Sequence, residues 1–222
     1  LHRVDRRQRQ MCIRDSNDHY VIVFSISQFY FDETPMRYKT GYKEEKRQEL
    51  LKISAQLAKK QGFANTGVDG FMKAAQMTSG AFYSHFSSKH ELFEALIQSE
   101  LQHSFQAWQA NPHDNLEEWI DFELERYLAL SHVQRPDQGC VIPSLAAEVA
   151  RSSETTKLCF QQEMLRGHAL FTQHLGSETQ AWAVLCQLVG AIVMARSMAD
   201  EHLQREILSS SKWMIKNMLQ LK

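Results

Sequence analysis

The sequence predicts an all-α protein of about nine helices, arranged as a three-helix N-terminal lobe and a larger C-terminal helical domain. Three observations carry that expectation. Apolar residues recur at helical spacing from Lys43 to the end of the chain. Capping residues and glycine stops punctuate that pattern at intervals suited to helices. Only four prolines and nine glycines occur in 222 residues, which excludes a collagen-like or proline-rich chain and argues against a sandwich of many short strands. At 43% apolar and 23% charged residues, the chain is able to bury a core.

Residues 1–35 stand apart. Leu1 to Ser16 is rich in Arg and Gln with little periodicity, and Tyr20 to Phe31 is apolar and β-leaning. A basic stretch ahead of an apolar one is the order of a signal peptide. Here Asp15 and Asp18 interrupt it, and no small-residue cleavage pattern follows. The opening VDRRQRQMCIRDS resembles translated adapter sequence. The extension is expected to lie outside the fold, either as read-through ahead of a start at Met36 or as a disordered arm.

The helices then follow in order. Leu50, Leu51, Ile53, Leu57 and Ala58 place the first over 43–61, with Gly62 as its stop. Asn65 or Thr66 caps a short helix through Ala75. Gln76 to Thr78 has the length of a tight turn, and Ser79 to Phe86 forms another short helix. Ser88-Lys89-His90-Glu91 has capping-box spacing and opens a long helix to about Gln109, ended by Asn111-Pro112. At about 1.5 Å per residue that helix is roughly 30 Å long, enough to join two lobes. Asn115 caps a helix to Ser131, Pro136 to Gly139 is a loop, and Pro143 suits the first turn of a helix through Ala150. Ser153-Glu154 opens a long helix through Leu175, closed by Gly176. Ser177-x-x-Gln180 opens the most apolar helix, about 178–198. Asp200 to His202 breaks the chain before a last helix at about 204–220. No apolar run reaches the roughly 18 residues of a membrane span, and Gln187 interrupts the best candidate, so no membrane partner is expected.

Charge is unevenly distributed. Residues 37–89 hold ten Lys/Arg against four Asp/Glu, a net of +6, whereas 90–222 hold ten against seventeen, a net of −7. A basic segment ahead of an acidic body suggests one part that meets a polyanion and another that does not. The cysteines at 12, 140, 159 and 186 show neither metal nor disulfide spacing, which suits a reducing cytoplasm.

The stretch Thr66 to Phe93 carries the functional signal. Two short helices across a three- to four-residue turn form a helix-turn-helix pattern, whose second helix enters the major groove with its N-terminal residues toward base edges. That end is Thr78, Ser79, Gly80 and Ala81, small enough for close backbone approach and able to offer hydroxyls. Phe82 and Phe86, four apart, face inward. Tyr83, Ser84 and His85 lie on other faces and can donate to phosphates. Lys89 stands at the next helix start, where charge and free N–H groups both suit an anion.

The run Gly80-Ala81-Phe82-Tyr83-Ser84-His85-Phe86-Ser87-Ser88-Lys89-His90-Glu91-Leu92-Phe93 resembles the signature of the TetR/AcrR-type bacterial transcriptional regulators. The likeness is strong over about 43–100 and weaker to about 220. Gln76 stands where glycine is frequent in the turn, Phe71-Met72 replace a smaller pair, and Ala81 stands where threonine is common. The resemblance implies a helix-turn-helix DNA-binding domain over 36–88 and a ligand-binding and dimerisation domain over 89–222. It implies that Thr66, Thr78, Ser79, Tyr83, His85 and Lys89 contact double-stranded DNA, with Gly80 and Ala81 against the groove and Lys39, Lys43 and Arg47 adding phosphate contacts. The function implied is a homodimeric repressor of a palindromic operator, released by a small-molecule effector.

The last two helices are too apolar for a solvated surface. Trp182, Leu185, Val189, Ile192 and Val193, with Trp213, Met214 and Met218, form a wide apolar face that is either core or partner surface. Gly190 and Ala191 allow close approach, and a four-helix interface with two helices from each subunit is expected. Trp119, Phe122, Tyr127, Phe160, Met164, His168 and Phe171 are candidate pocket residues, with ordinary core as the alternative for each. Cys140, at a loop-to-helix boundary, is a further ligand or redox candidate beside the alternative of a buried thiol. The ten histidines show no metal spacing, so neither metal nor cofactor is expected. The helix at 89–109 is expected to transmit ligand binding, because it alone joins both lobes.

Two other classes compete. A small helical enzyme lacks a nucleophile–base pairing, a phosphate loop and metal spacing in the sequence. An all-α protein-interaction module leaves the charge split unexplained.

Overall fold

The computed structural model describes residues 41–221 and, ahead of them, two short strands, Ile13–Arg14 (β1) and Tyr20–Val21 (β2). The strands pair antiparallel, Ile13 opposite Val21 and Arg14 opposite Tyr20. Apart from those four strand residues, the first 40 residues, Met36 and Lys39 among them, lie outside the described residues, as does Lys222.

The remainder of the described chain is helical. In order come α1 (Tyr42–Gln61), α2 (Val68–Ala74), a 3-10 turn (Ser79–Ser84) and α3 (Lys89–Gln109). Then follow α4 (Leu116–Tyr127), α5 (Leu130–Gln134), a second 3-10 turn (Pro136–Gln138) and α6 (Ile142–Ala150). Last come α7 (Glu154–Leu175), α8 (Glu178–Arg196) and α9 (Glu201–Met218).

Capping chemistry explains most boundaries. Side-chain oxygens of Ser88, Asn115, Ser153, Ser177 and Asp200 each accept from N–H groups that their helix leaves without an internal partner. Because Asp200 is a cap, α9 starts at Glu201, three residues before the expected 204. The capping box at 88–91 is only half closed. Glu91 turns instead to Ser87, accepting from its N–H and its hydroxyl, both at 2.7 Å. Neither Asn65 nor Thr66 caps α2, whose N-cap is Gly67. The Thr66 hydroxyl donates to the Gly62 carbonyl at 3.0 Å, prolonging the end of α1. The helix expected to run from Asn115 to Ser131 breaks after Tyr127. The His132 ring takes the Tyr127 carbonyl at 2.7 Å, in place of the backbone N–H that would continue the helix.

The turn after α2 is a Schellman closure. Met77 N–H returns to the Met72 carbonyl at 2.9 Å and Gln76 N–H to that of Lys73 at 3.1 Å. This requires Gln76 at φ 56°, in the left-handed region where a Cβ is penalised. Gln76→Gly is therefore expected to raise stability by about 0.5 to 1 kcal/mol, measured as a higher urea midpoint with unchanged slope.

Two apolar clusters form. The first gathers Leu50, Phe71, Phe82, Phe86, Leu92 and Leu96 with Ile142, Leu145 and Val149 of α6. The second gathers Trp108, Trp119, Phe171, Leu188, Ile192 and Ile215 with their neighbours. Thus α3 enters both clusters, as expected of a joining helix, but it does not join them alone: α6 is built into the first. Gly167 of α7 allows the close crossing with α3, since a Cβ there would stand 2.6 Å from the Trp108 ring. Against the expectation from sequence, α8 does have the length and hydropathy of a membrane span. Its inner face is nevertheless packed into the protein through Ala181, Val184, Leu188, Ala191, Ile192 and Ala195.

Candidate nucleic-acid interface

Phe82 and Phe86 are buried and determine which side chains the recognition turn presents. With Phe82 held inward, Thr78, Ser79, Gly80, Tyr83 and Ser84 are exposed, and Ala81 is half-buried against the core. The element is a 3-10 turn ending at Ser84, shorter and tighter than the α-helix to Phe86 expected from the pattern. Tyr83 is 71% exposed, with its ring edge-on to Phe82 at 5.3 Å. That exposure holds an amphipathic ring in solvent, as interfaces use tyrosine.

The charged residues around the turn are partly engaged in holding it. Arg47 donates from Nε to the His85 carbonyl at 3.4 Å and lies over the Phe86 ring at 4.5 Å. Lys89 donates to the Ala64 carbonyl at 3.2 Å and lies over the Phe63 ring at 5.0 Å. Both therefore bind the helices of the lobe to one another while keeping their charge at its surface. Thr66 is buried with its hydroxyl already donated, and Ser84 donates internally to the Ala81 carbonyl at 2.7 Å. Burial, and then the nearby Lys43 and Arg47, lower the pKa of His85, and its Nδ1 is buried without a partner. Lys43 is exposed on α1, and so is Lys73 in the last turn of α2, which sequence reasoning did not single out.

Behind this lobe lies a cavity of about 700 Å³ between α1, α3, α4, α5 and the turn that follows. Of the eight residues expected to line a pocket, Tyr127 and Cys140 do so. The other six do not. Trp119 and Phe171 are core, edge-to-face at 4.9 Å. Phe160 and Met164 pack on the first cluster, and Phe122 is exposed beside His113. His168 stacks on Trp182 at 4.3 Å and donates from Nε2 to the Glu178 carbonyl at 2.9 Å. Helical spacing identifies the inward face but not whether that face meets atoms or space.

The cavity wall contains groups that no local pattern announces. Lys59 of α1 is buried against Glu100 of α3 at 2.6 Å and donates to the Gly139 carbonyl at 2.9 Å. His132 accepts at Nε2 from the Cys140 N–H at 3.0 Å, so Nδ1 carries the proton it gives to Tyr127. Glu148 of α6 accepts from the N–H groups of Phe63 and Ala64 at 2.9 and 2.7 Å, capping the end of α1 from another part of the chain. Glu148→Gln leaves one of those donors without its partner. It is expected to cost about 1 to 2 kcal/mol in urea unfolding.

The fold also gathers Ser153, His90 and Glu94. Ser153 Oγ and Glu94 Oε1 lie 2.8 and 3.4 Å from the same ring nitrogen, Nε2. A serine–histidine–carboxylate relay uses the two different nitrogens. Among the described residues, no group of three or more His, Cys, Asp or Glu is placed to hold a metal ion.

Of the expected dimer face, Trp182, Val193, Trp213 and Met214 are exposed. Leu185 and Ile192 are buried inside the subunit, and Val189 and Met218 are half-buried against its two clusters. Met194 and Leu203 join the exposed set and border a groove of about 600 Å³ between α8 and α9.

Residues 50–96 match the family described as bacterial regulatory proteins, tetR family. The reduced form of NemR from E. coli is similar in structure, with TM-score 0.67 and 24% identity, covering 78% of this chain and 97% of that one. A TetR-family regulator from Agrobacterium tumefaciens has TM-score 0.68 and 16% identity, covering 78% and 98%. A TetR regulator from Chloroflexus aurantiacus has TM-score 0.69 and 17% identity, covering 80% and 96%. No curated protein matches the chain in sequence. Residues 50–96 are thus a TetR-family regulatory-protein domain, and the described helices share the fold of solved TetR-family regulators.

Proposed function

We propose that the protein is a repressor that binds a palindromic operator in double-stranded DNA as a two-fold homodimer in the cytoplasm and is released by a small molecule. The observation that carries this reading is the recognition turn. Two buried phenylalanines hold Thr78, Ser79, Gly80 and Tyr83 outward as one exposed edge. Thr78 and Ser79 offer hydroxyls to bases or phosphates, Gly80 admits close approach, and Tyr83 supplies a rigid donor. Lys43, Arg47 and Lys89 add positive charge beside that edge. The exposed Trp182, Val193, Trp213 and Met214 support pairing through α8 and α9, which presents two turns to two half-sites. A ligand that changes the spacing of the two lobes breaks simultaneous contact with both half-sites, so affinity falls with each single contact intact.

The test is selection of bound sequences from a random DNA pool with the full chain, followed by a salt series on the enriched site. The expected result is an enriched inverted repeat whose affinity falls by about a thousandfold between 50 and 200 mM salt. Absence of enrichment from a folded dimer would overturn the reading.

A further inference from the structure

Around the cavity of about 700 Å³ the carboxylates are used up and two cations are left over. The lining holds two carboxylates, Glu100 and Asp137, and both are paired, Glu100 with Lys59 and Asp137 with Lys60. Arg126 of the same lining is paired with the buried Glu123 outside it. Lys52 of α1 and Arg135, the residue that ends α5, also line the cavity. Both are exposed, and among the described residues neither side chain has an ion-pair or hydrogen-bond partner. Their charge is therefore neither buried nor spent.

Neutral donors accompany them. Gln48 and Gln56 stand one turn before and one turn after Lys52 on α1, Ser131 stands one turn before Arg135 on α5, and His103 adds a ring from α3. All four are exposed, so a ligand entering from solvent reaches them without displacing packed atoms. Ala107 and Cys140, both half-buried, supply apolar surface to the same lining. A concave surface that keeps uncompensated charge of one sign concentrates ions of the other. The volume is within the range of small-molecule sites.

We propose that this cavity binds a small dianion, whose two negative charges are met by Lys52 of α1 and by Arg135 at the end of α5. Dicarboxylates and phosphate monoesters share that chemistry. A ligand held by both residues ties the first helix of the DNA-binding lobe to the body at a second place, besides the bond from Lys59 to the Gly139 carbonyl. Its occupancy then favours one position of the lobe over others. That the dianion is the effector that releases DNA rests on the regulator reading above, whereas the site itself does not.

The experiment is calorimetry on the full chain at pH 8 with isophthalate, its monomethyl ester and isophthalamide, which share one ring and carry two, one and no negative charges. Phenyl phosphate, a dianion at that pH, represents the phosphate source. The preferred dianion is expected to bind at least about tenfold more tightly than the monoester, the effect of one charge-assisted contact, and the diamide more weakly still. Which of the two dianions binds more tightly identifies the source. Lys52→Gln and Arg135→Gln are each expected to remove about tenfold of the affinity with an unchanged melting temperature, because both side chains are exposed and unpaired. Lys157→Gln removes an exposed cation of α7 that is not part of the lining, and is expected to leave the affinity within about twofold. An equal loss in that variant assigns the binding to general attraction and overturns the site. So do equal binding of the three isophthalyl compounds, binding of neither dianion, or full affinity in Lys52→Gln or Arg135→Gln. Measuring DNA affinity with and without the bound dianion separates the two readings. Dianion binding with DNA affinity unchanged keeps the site and overturns its effector role. DNA binding without dianion binding overturns the site and keeps the regulator.

Discussion

Replacing Lys59 with alanine is expected to cost about 3 kcal/mol of stability, the largest effect of any single substitution considered for this fold. The ammonium is buried at the crossing of α1 and α3, 2.6 Å from Glu100 and 2.9 Å from the Gly139 carbonyl. Removing it leaves a mostly buried carboxylate without its counter-charge and a carbonyl without its donor. The penalty is that of the orphaned groups rather than of the lost attraction, because a buried pair gains little over an apolar one of similar size. The paired replacement Lys59→Met with Glu100→Leu is therefore expected to recover most of the loss. Urea unfolding of the two single variants and the double variant gives the coupling directly. A double variant as unstable as the sum of the singles would place the cost in lost packing instead. The pair ties α1 to α3 and to the loop before α6, so weakening it should also loosen the DNA-binding lobe, with lower operator affinity in the folded single variant.

Lowering the pH from 6.5 to 4 is expected to remove about 3 kcal/mol through His132 alone. Burial, opposed by the bond to the Tyr127 carbonyl and aided by Arg196, Arg126 and Lys59, lowers its pKa to about 4. In the unfolded chain the ring takes a proton below about 6.5. Between those values the unfolded state binds more protons than the native one, so the contribution is complete above 6.5 and is lost as pH falls to about 4. Protonation would also force Nε2 to give up the Cys140 N–H it accepts. Glu123, whose carboxyl burial holds above its ordinary value despite Arg126 and Asn111, works in the opposite sense at the acid end. His132→Asn should be less stable at pH 7.5 but lose much less between 6.5 and 4, read from urea midpoints at each pH. An equally steep decline in that variant would assign the effect to other groups.

The helices and most of their ends were legible in the sequence, because they are local. Ser88, Asn115, Ser153 and Ser177 cap the helices they precede, and Gly62 and Gly176 close α1 and α7 with positive φ. Such ends depend on groups within a few residues of one another. The recognition turn was legible for the same reason: Phe82, Tyr83 and Phe86 sort themselves inward or outward by spacing alone. Where the local reading failed, a competing side-chain bond close in sequence had intervened: Thr66 turned back to Gly62 of the α1 end, and the His132 ring took the Tyr127 carbonyl at the end of α4.

What the sequence alone determined is the helical class, the order of the helices and the side chains exposed along the turn at 78–84. Only the tertiary structure decided where an opening remains and which polar groups face it. Trp119 and Phe171 have the same helical spacing as a pocket wall, yet they pack on one another and fill the space. Lys59 and Glu100 are 41 residues apart, and Glu148 reaches back 84 and 85 residues to cap α1. Periodicity records which way a side chain points, whereas a cavity depends on the sum of volumes contributed by several helices at once.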